Sequence, residues 1–208
     1  IEHATLRVAP DSTYKIYDAL FGLEECVITP EDSFIAWNGE NYPFEAWNAD
    51  QTLQSAMTSS VNWYFQSIDE QLASTNIYNY IQQIGYGNEN VSGDLSTYWL
   101  ESSLKISSVE QVELLMKLQN NSLGFSSENI NAVKDSICLS SSNTGKFYGK
   151  TGTGRVGGQD VNGWFIGYIE TADNTYFFAT NIGADSDATG GNATEITMSI
   201  LSDMNIWK

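Results

Sequence analysis

A chain of 208 residues with 41% hydrophobic residues can bury one substantial core, so we expect a single domain over residues 1–208. Its 26 acidic and 9 basic residues give a net charge of -17, which repels nucleic acid and anionic membranes and predicts no nucleic-acid partner. No apolar run approaches the roughly 18 residues that a transmembrane helix needs.

Histidine and cysteine are scarce in this chain. His3 is the only histidine, and Cys26 and Cys138 are the only cysteines, so a zinc site is not predicted and no metal is expected. Because His3 lies in an N-terminal tail, a Ser/His/Asp triad is not favoured and we expect a base other than imidazole. The two cysteines can form one disulfide or stay unpaired as small apolar side chains, and we favour the unpaired state.

The first helical pattern begins at Ser12. Pro10 and Asp11 suit a helix start, and apolar residues then recur at helical spacing as far as Gly22, where we expect the helix to end. Residues 30–51 lack any period and predict a long ordered loop.

A second helical pattern covers about 52–73 and places Ser60 on its apolar stripe. An inward-facing hydroxyl either belongs to a site or bonds back to a carbonyl of its own helix. Further helices are predicted near 76–84, 108–119 and 127–139.

Strand patterns replace helical ones after about residue 145. Short aromatic and β-branched runs between glycine-rich turns predict antiparallel strands at 147–150, 164–168 and 176–180. A closing helix is predicted at about 192–203. This order predicts an α+β architecture, with a helical lobe over about 16–140 and a sheet with its closing helix over about 141–208.

Ser12 and Lys15 are three residues apart at a predicted helix start, so their side chains share one face. A serine hydroxyl needs an adjacent base to become a nucleophile, and a desolvated lysine with a lowered pKa can be that base. This SxxK pattern is common by chance, so its meaning depends on the other motifs.

Lys150-Thr151-Gly152 follows a strand-like run and precedes a turn-rich stretch, which places it on a strand edge. A lysine and a hydroxyl there can bind a carboxylate, while the strand's backbone amides can receive an extended, amide-like ligand. Alone, the motif would indicate only a solvated lysine at a strand end.

Six motifs, in this order, resemble those of class D β-lactamases and their sensor relatives. They are Ser12-x-x-Lys15, Ser60-Val61-Asn62, Tyr86-Gly87-Asn88, Tyr98-Trp99-Leu100-Glu101, Lys150-Thr151-Gly152 and Trp164-Phe165-Ile166-Gly167-Tyr168. Asn62 at the third position of the second motif is most similar to the extracellular sensor domains of BlaR and MecR type receptors. The resemblance implies a serine β-lactamase and penicillin-binding-protein-like fold, with an antiparallel sheet flanked by helices and a mostly helical lobe.

The resemblance also implies catalytic roles. Ser12 would be the nucleophile, and Lys15, as a carbamate derived from CO2, would be the general base of acylation. Ser60 would shuttle a proton. No other cofactor is expected.

The remaining motif residues are implied to bind the substrate. Lys150 and Thr151 would hold the carboxylate of the antibiotic, and Gly152 continues that strand to Thr153. The backbone amides of Ser12 and Thr153 would form an oxyanion hole. Two aromatic residues complete the set: Trp99 would hydrogen-bond the carbamate, and Tyr86 would bind substrate or serve only as part of the pocket wall.

Asn62 is predicted to separate a sensor from an enzyme. Class D enzymes usually have valine at this position, whose apolar side chain preserves the lysine carbamate that activates the deacylating water. Our hypothesis is that the Asn62 amide favours loss of CO2 once Ser12 is acylated, which leaves a long-lived acyl complex.

Two departures from the class D pattern bear on the site and the fold. No arginine occurs in 181–187, where many class D enzymes have one for the substrate carboxylate. Only eleven residues precede Ser12, so we expect N-terminal strands of the sheet to be missing from this piece.

We therefore predict a β-lactam sensor domain on the extracellular face of a bacterial membrane, acylated by β-lactam antibiotics and joined to a receptor with a protease domain. The alternatives are a class D β-lactamase, which a turnover measurement would reveal, and a penicillin-binding transpeptidase, which peptide-stem substrates would reveal.

Overall fold

The structure, a computed structural model, describes residues 2–207. The α-helices are α1 (Lys15–Glu24), α2 (Leu53–Thr58), α3 (Asn62–Ile84), α4 (Ser108–Gln119), α5 (Ser127–Ser136) and α6 (Gly190–Asp203). The strands are β1 (Cys138–Ser142), β2 (Gly145–Val156), β3 (Gln159–Thr171) and β4 (Thr175–Gly183). Short 3-10 helices occur at Glu2–Thr5, Asp11–Thr13 and Glu45–Trp47.

The four strands form one antiparallel sheet in the order β1-β2-β3-β4. Alternate residues of β3 point to opposite faces: Trp164 and Tyr168 join the large core with the helices, whereas Phe165 and Ile169 join a smaller core with α6. β3 is therefore buried on both faces. The predicted α+β architecture, with an antiparallel sheet flanked by helices, is confirmed.

The single helix predicted over about 52–73 is wrong. α2 ends at Thr58, α3 begins at Asn62, and Ser60 between them has a left-handed backbone with φ 52°. The helical spacing continues across this break because Val61 is also buried, so periodicity alone does not reveal it. α3 then continues through the separately predicted helix at 76–84, with a local departure from helical geometry at Ala73.

Other boundaries shift by a few residues. The helix expected to start near Ser12 is a 3-10 turn followed by α1, which runs past Gly22 to Glu24. Gly22 is needed there for packing, because a Cβ atom would lie 2.7 Å from Cγ2 of Ile68. The helix predicted at 127–139 ends at Ser136, since β1, which was not predicted, begins at Cys138.

The sequence also gave expectations for cysteine pairing, membrane-spanning helices and N-terminal strands. Cys26 and Cys138 are both free, as favoured from the sequence. Among residues 2–207, no helix is long and apolar enough to span a membrane. Within that range β4 pairs only with β3, and the expected additional N-terminal strands stay a prediction.

Candidate active site

A 3-10 turn at the start of α1 brings Ser12 and Lys15 together. Asp11–Thr13 form the 3-10 turn that leads into α1, and Ser12 is 9% exposed. Lys15 Nζ lies 2.6 Å from Ser12 Oγ, as the three-residue spacing predicted. β2 approaches this turn closely, because a Cβ on Gly152 would lie 3.1 Å from the carbonyl oxygen of Pro10.

Asn162 on β3 ties the 3-10 turn that contains Ser12 to the sheet. Asp11 has a left-handed backbone with φ 47°. The side-chain amide of Asn162 on β3 donates to Asp11 Oδ2 at 2.9 Å and to Glu101 Oε1 at 2.8 Å. Burial, with the nearby charge of Glu101, raises the pKa of Asp11 well above its usual value. A protonated Asp11 can hydrogen-bond Glu101 and hold the turn in place.

Lys15 is fully buried in a chamber of aromatic and polar side chains. Its Nζ donates to Asn62 Oδ1 at 2.7 Å and lies 4.5 Å from the ring centroid of Trp99 and 5.6 Å from that of Phe65. Burial lowers the pKa of Lys15 well below its usual value, and the charge of Lys150 lowers it further. A neutral amine in this position can accept the Ser12 proton.

The break between α2 and α3 allows Ser60 and Asn62 to reach the same site. On a continuous helix, residues two apart point to different sides. Because Ser60 precedes the first residue of α3, its hydroxyl turns toward the sheet and accepts a hydrogen bond from Lys150 Nζ. Lys150 Nζ also donates to the carbonyl oxygen of Thr151 at 2.9 Å.

Lys150 should make the free energy of unfolding depend on pH, since burial lowers its pKa from 10.5 to about 7. Between these values the unfolded chain holds a proton that the folded protein lacks, so the free energy of unfolding rises with pH across this window. We expect Lys150→Met to flatten the rise measured by denaturant titration between about pH 7.5 and about pH 9.5. Lys15 contributes with the same sign, so part of the rise persists. The exposed Lys146 on the same strand provides the control K146M, and an equal slope in K150M and wild type would contradict the prediction.

A cavity of about 550 Å³ opens in front of these groups. Its lining includes Ser12, Ser60, Asn62 and the β2 residues Thr151, Gly152 and Thr153. Thr153 also accepts a hydrogen bond from the Gly190 amide through Oγ1 at 2.9 Å, which ties β2 to α6. The structure therefore brings these predicted site residues around one cavity large enough for a small molecule.

Three predicted substrate-binding residues do not line the cavity: Lys150, Tyr86 and Trp99. Lys150 is hydrogen-bonded to the lining residue Ser60. Tyr86 is fully buried, and its ring packs against those of Tyr14 and Tyr17 at 5.4 Å, so it is a core residue behind the site. Trp99 is also fully buried, and its indole N–H donates to Asp69 Oδ2 at 3.1 Å. The N–H that was expected to serve a Lys15 carbamate thus has another partner in this structure.

Sequence reasoning missed several residues of the site. Phe44 and Trp47, from the loop without period, form one wall of the cavity. Arg155 lies at the rim of the cavity, where its Nε donates to Asp160 Oδ1 at 2.7 Å. It provides a cation beside the cavity, although 181–187 contains no arginine. Its position five residues after Lys150 on β2 was the available signal.

The chain is similar to known proteins in sequence and in structure. The sequence matches the family described as the penicillin binding protein transpeptidase domain over residues 2–202. The chain belongs to this family. The chain is 48% identical over 206 residues to regulatory protein BlaR1 of Bacillus licheniformis. The aligned region covers 99% of this chain and 34% of that protein.

A second relative and a solved structure agree with this assignment. The chain is 42% identical over 200 residues to the methicillin resistance mecR1 protein of Staphylococcus aureus, covering 96% of this chain and 34% of that protein. The C-terminal domain of the Bacillus licheniformis BlaR penicillin-receptor superposes with a TM-score of 0.95 at 47% identity, covering 100% of this chain and 84% of that one. The predicted resemblance to BlaR and MecR proteins is confirmed. This chain spans about one third of the length of these two relatives.

Proposed function

We propose that this chain is the β-lactam-sensing domain of a membrane receptor. It is acylated once at Ser12, and the acyl group is hydrolysed very slowly. The observation that carries the proposal is the position of Lys15 Nζ, held between Ser12 Oγ at 2.6 Å and Asn62 Oδ1 at 2.7 Å in a fully buried chamber. The likeness to BlaR1 and to the BlaR penicillin-receptor domain over nearly the whole chain supports it.

Acylation uses the groups around the cavity. Ser12 Oγ attacks the β-lactam carbonyl carbon while its proton passes to the base at Lys15, and the ring C–N bond then breaks. The ring nitrogen receives a proton from Ser60, which takes a proton in turn from Lys150, its hydrogen-bond donor. Lys150, Thr151 and the rim cation Arg155 are suited to the carboxylate of the antibiotic, because charged donors bind carboxylates strongly.

A lysine with a lowered pKa is also suited to modification by CO2, because only the neutral amine reacts. We propose that Lys15 is a carbamate before acylation and a free amine afterwards. The Asn62 Oδ1 contact supports the second state, since an amide oxygen accepts from an amine but repels an anionic carbamate. Without a base at Lys15, water is not activated and the acyl complex persists.

The setting of this domain belongs to the same proposal. We place it on the extracellular face of a bacterial membrane, with the protease domain of a longer receptor as its partner. β-Lactam antibiotics are the ligands.

Intact-protein mass spectrometry after mixing with benzylpenicillin tests the function directly. We expect one adduct per chain that persists for hours, and no adduct on Ser12→Ala. Rapid return to unmodified protein with consumption of the antibiotic would instead identify a class D β-lactamase. Absence of any adduct on protein with a folded circular dichroism spectrum would overturn the proposal.

A further inference from the structure

Two carboxyl groups lie buried behind Lys15. Asp18 follows Lys15 by three residues on α1, and Asp69 follows Asn62 by seven residues on α3. Both side chains are fully buried. The helices that supply Lys15 and Asn62 therefore also supply this acidic pair, on the same faces and one or two turns further along each helix.

Asp69 accepts hydrogen bonds from two aromatic residues. Its Oδ1 accepts from the Tyr98 hydroxyl at 2.9 Å, and its Oδ2 accepts from the Trp99 indole N–H at 3.1 Å. The Tyr14 hydroxyl extends the network at 2.7 Å from that of Tyr98. An ionised Asp69 is the natural acceptor for two such donors.

Asp18 supplies the proton that makes this arrangement possible. Within residues 2–207 no donor side chain reaches either of its carboxyl oxygens, and its polar neighbour is the Asp69 carboxyl. Two carboxyls in contact must share a proton, because two buried like charges repel. Burial and the charge of Asp69 raise the pKa of Asp18 well above its usual value, so Asp18 is the member of the pair that holds the proton.

The hydrogen bond to Asp69 fixes how Trp99 meets Lys15. With its N–H directed to Asp69, the indole presents its ring face to Lys15 Nζ, 4.5 Å from the ring centroid. The face of an aromatic ring carries negative potential, so it attracts an ammonium group and repels an anion. The bonded indole N–H is also unavailable to any oxygen attached to Lys15.

We propose that Asp69 is a positioning residue that, through Trp99, weakens the binding of CO2 to Lys15, so that the carbamate is lost once Ser12 is acylated. The inference rests on the proposed function and adds a second group, besides Asn62, that disfavours CO2 on Lys15. In that modification the neutral amine adds to the carbon of CO2, one C–O π bond opens onto oxygen, and the nitrogen releases a proton to solvent. The product is an anion, and the Trp99 indole N–H cannot donate to it while that N–H is bonded to Asp69.

The test uses the full chain with 13C-labelled bicarbonate, and 13C NMR of the lysine carbamate as the readout. In Asp69→Ala the indole N–H has no acceptor in its buried site and becomes available to a carbamate oxygen. We expect the affinity of Lys15 for CO2 to rise about tenfold, which corresponds to about 1.4 kcal/mol. Asp69→Asn retains an acceptor oxygen for the indole and should remain close to wild type.

Several outcomes separate this inference from the proposed function. Equal carbamate affinity in wild type and D69A, while the wild-type acyl adduct persists, would overturn the role of Asp69 and leave the sensor intact. An equal gain in D69A and D69N would also overturn it, because charge rather than the indole contact would then be responsible. If D69A does not fold, Asp69→Leu removes the acceptor at similar volume and is measured in its place. Turnover of benzylpenicillin by the wild type would refute the proposed function whatever the carbamate result.

Discussion

Replacing Lys15 by methionine should lower the rate of Ser12 acylation by roughly 10²–10⁴-fold, the contribution of a positioned general base. Lys15 Nζ lies 2.6 Å from Ser12 Oγ, and within residues 2–207 no other side chain is hydrogen-bonded to that hydroxyl. The expected result is slow formation of the same benzylpenicillin adduct, timed by quenched-flow mass spectrometry.

Stability measurements separate this effect from misfolding. Methionine fills a similar volume and removes the desolvation penalty of a fully buried amine, so the free energy of unfolding should not fall. K146M on the exposed part of β2 provides the matched control and should acylate at the wild-type rate. Acylation of a folded K15M protein at the wild-type rate would show that another group accepts the serine proton.

Asn62→Val should raise the rate of deacylation by roughly 10²-fold, the lower end of the range for general base catalysis. Asn62 Oδ1 accepts from Lys15 Nζ at 2.7 Å, and valine offers no such acceptor to hold the free amine. The carbamate at Lys15 should then survive acylation and activate water. The adduct should decay faster by intact mass, and catalytic consumption of benzylpenicillin should appear.

The exposed Asn131 on α5 gives the control N131V, which should deacylate as slowly as wild type. The carbamate must also be followed by 13C NMR in the acylated wild-type protein. A carbamate that is retained on Lys15 while the adduct persists would contradict the role given to Asn62, because the base would then be present without deacylation.

The two replacements locate the difference between sensor and enzyme in the surroundings of one amine. In the proposed mechanism Lys15 makes acylation fast, and Asn62 prevents the same lysine from acting as the base of deacylation. Asp69 acts on the same amine through Trp99. A β-lactamase and a receptor domain can thus share a fold and a nucleophile and differ in a few contacts around the base.

Much of this protein was determined by its sequence alone. The bounds predicted for α4, 108–119, are those of the structure, because Ser107 and Glu110 form a capping box that local residues encode. Aromatic and β-branched runs between glycine-rich turns predicted β2, β3 and β4, although these strands extend beyond the predicted ranges 147–150, 164–168 and 176–180. The SxxK and KTG motifs identified Ser12, Lys15 and Lys150, since helical spacing and strand position are local properties.

Tertiary structure decided the rest. No glycine near Ser60 marks the break. Its left-handed backbone closes the end of α2, with hydrogen bonds from Ser60 N to Met57 O and from Val61 N to Ala56 O, and leads its hydroxyl to Lys150, ninety residues away. The indole of Trp99 turned to Asp69 because a buried donor takes whichever acceptor the fold brings within reach. Periodicity reports which side chains are buried, whereas the partner of a buried polar group depends on contacts between distant segments, which only the folded chain brings together.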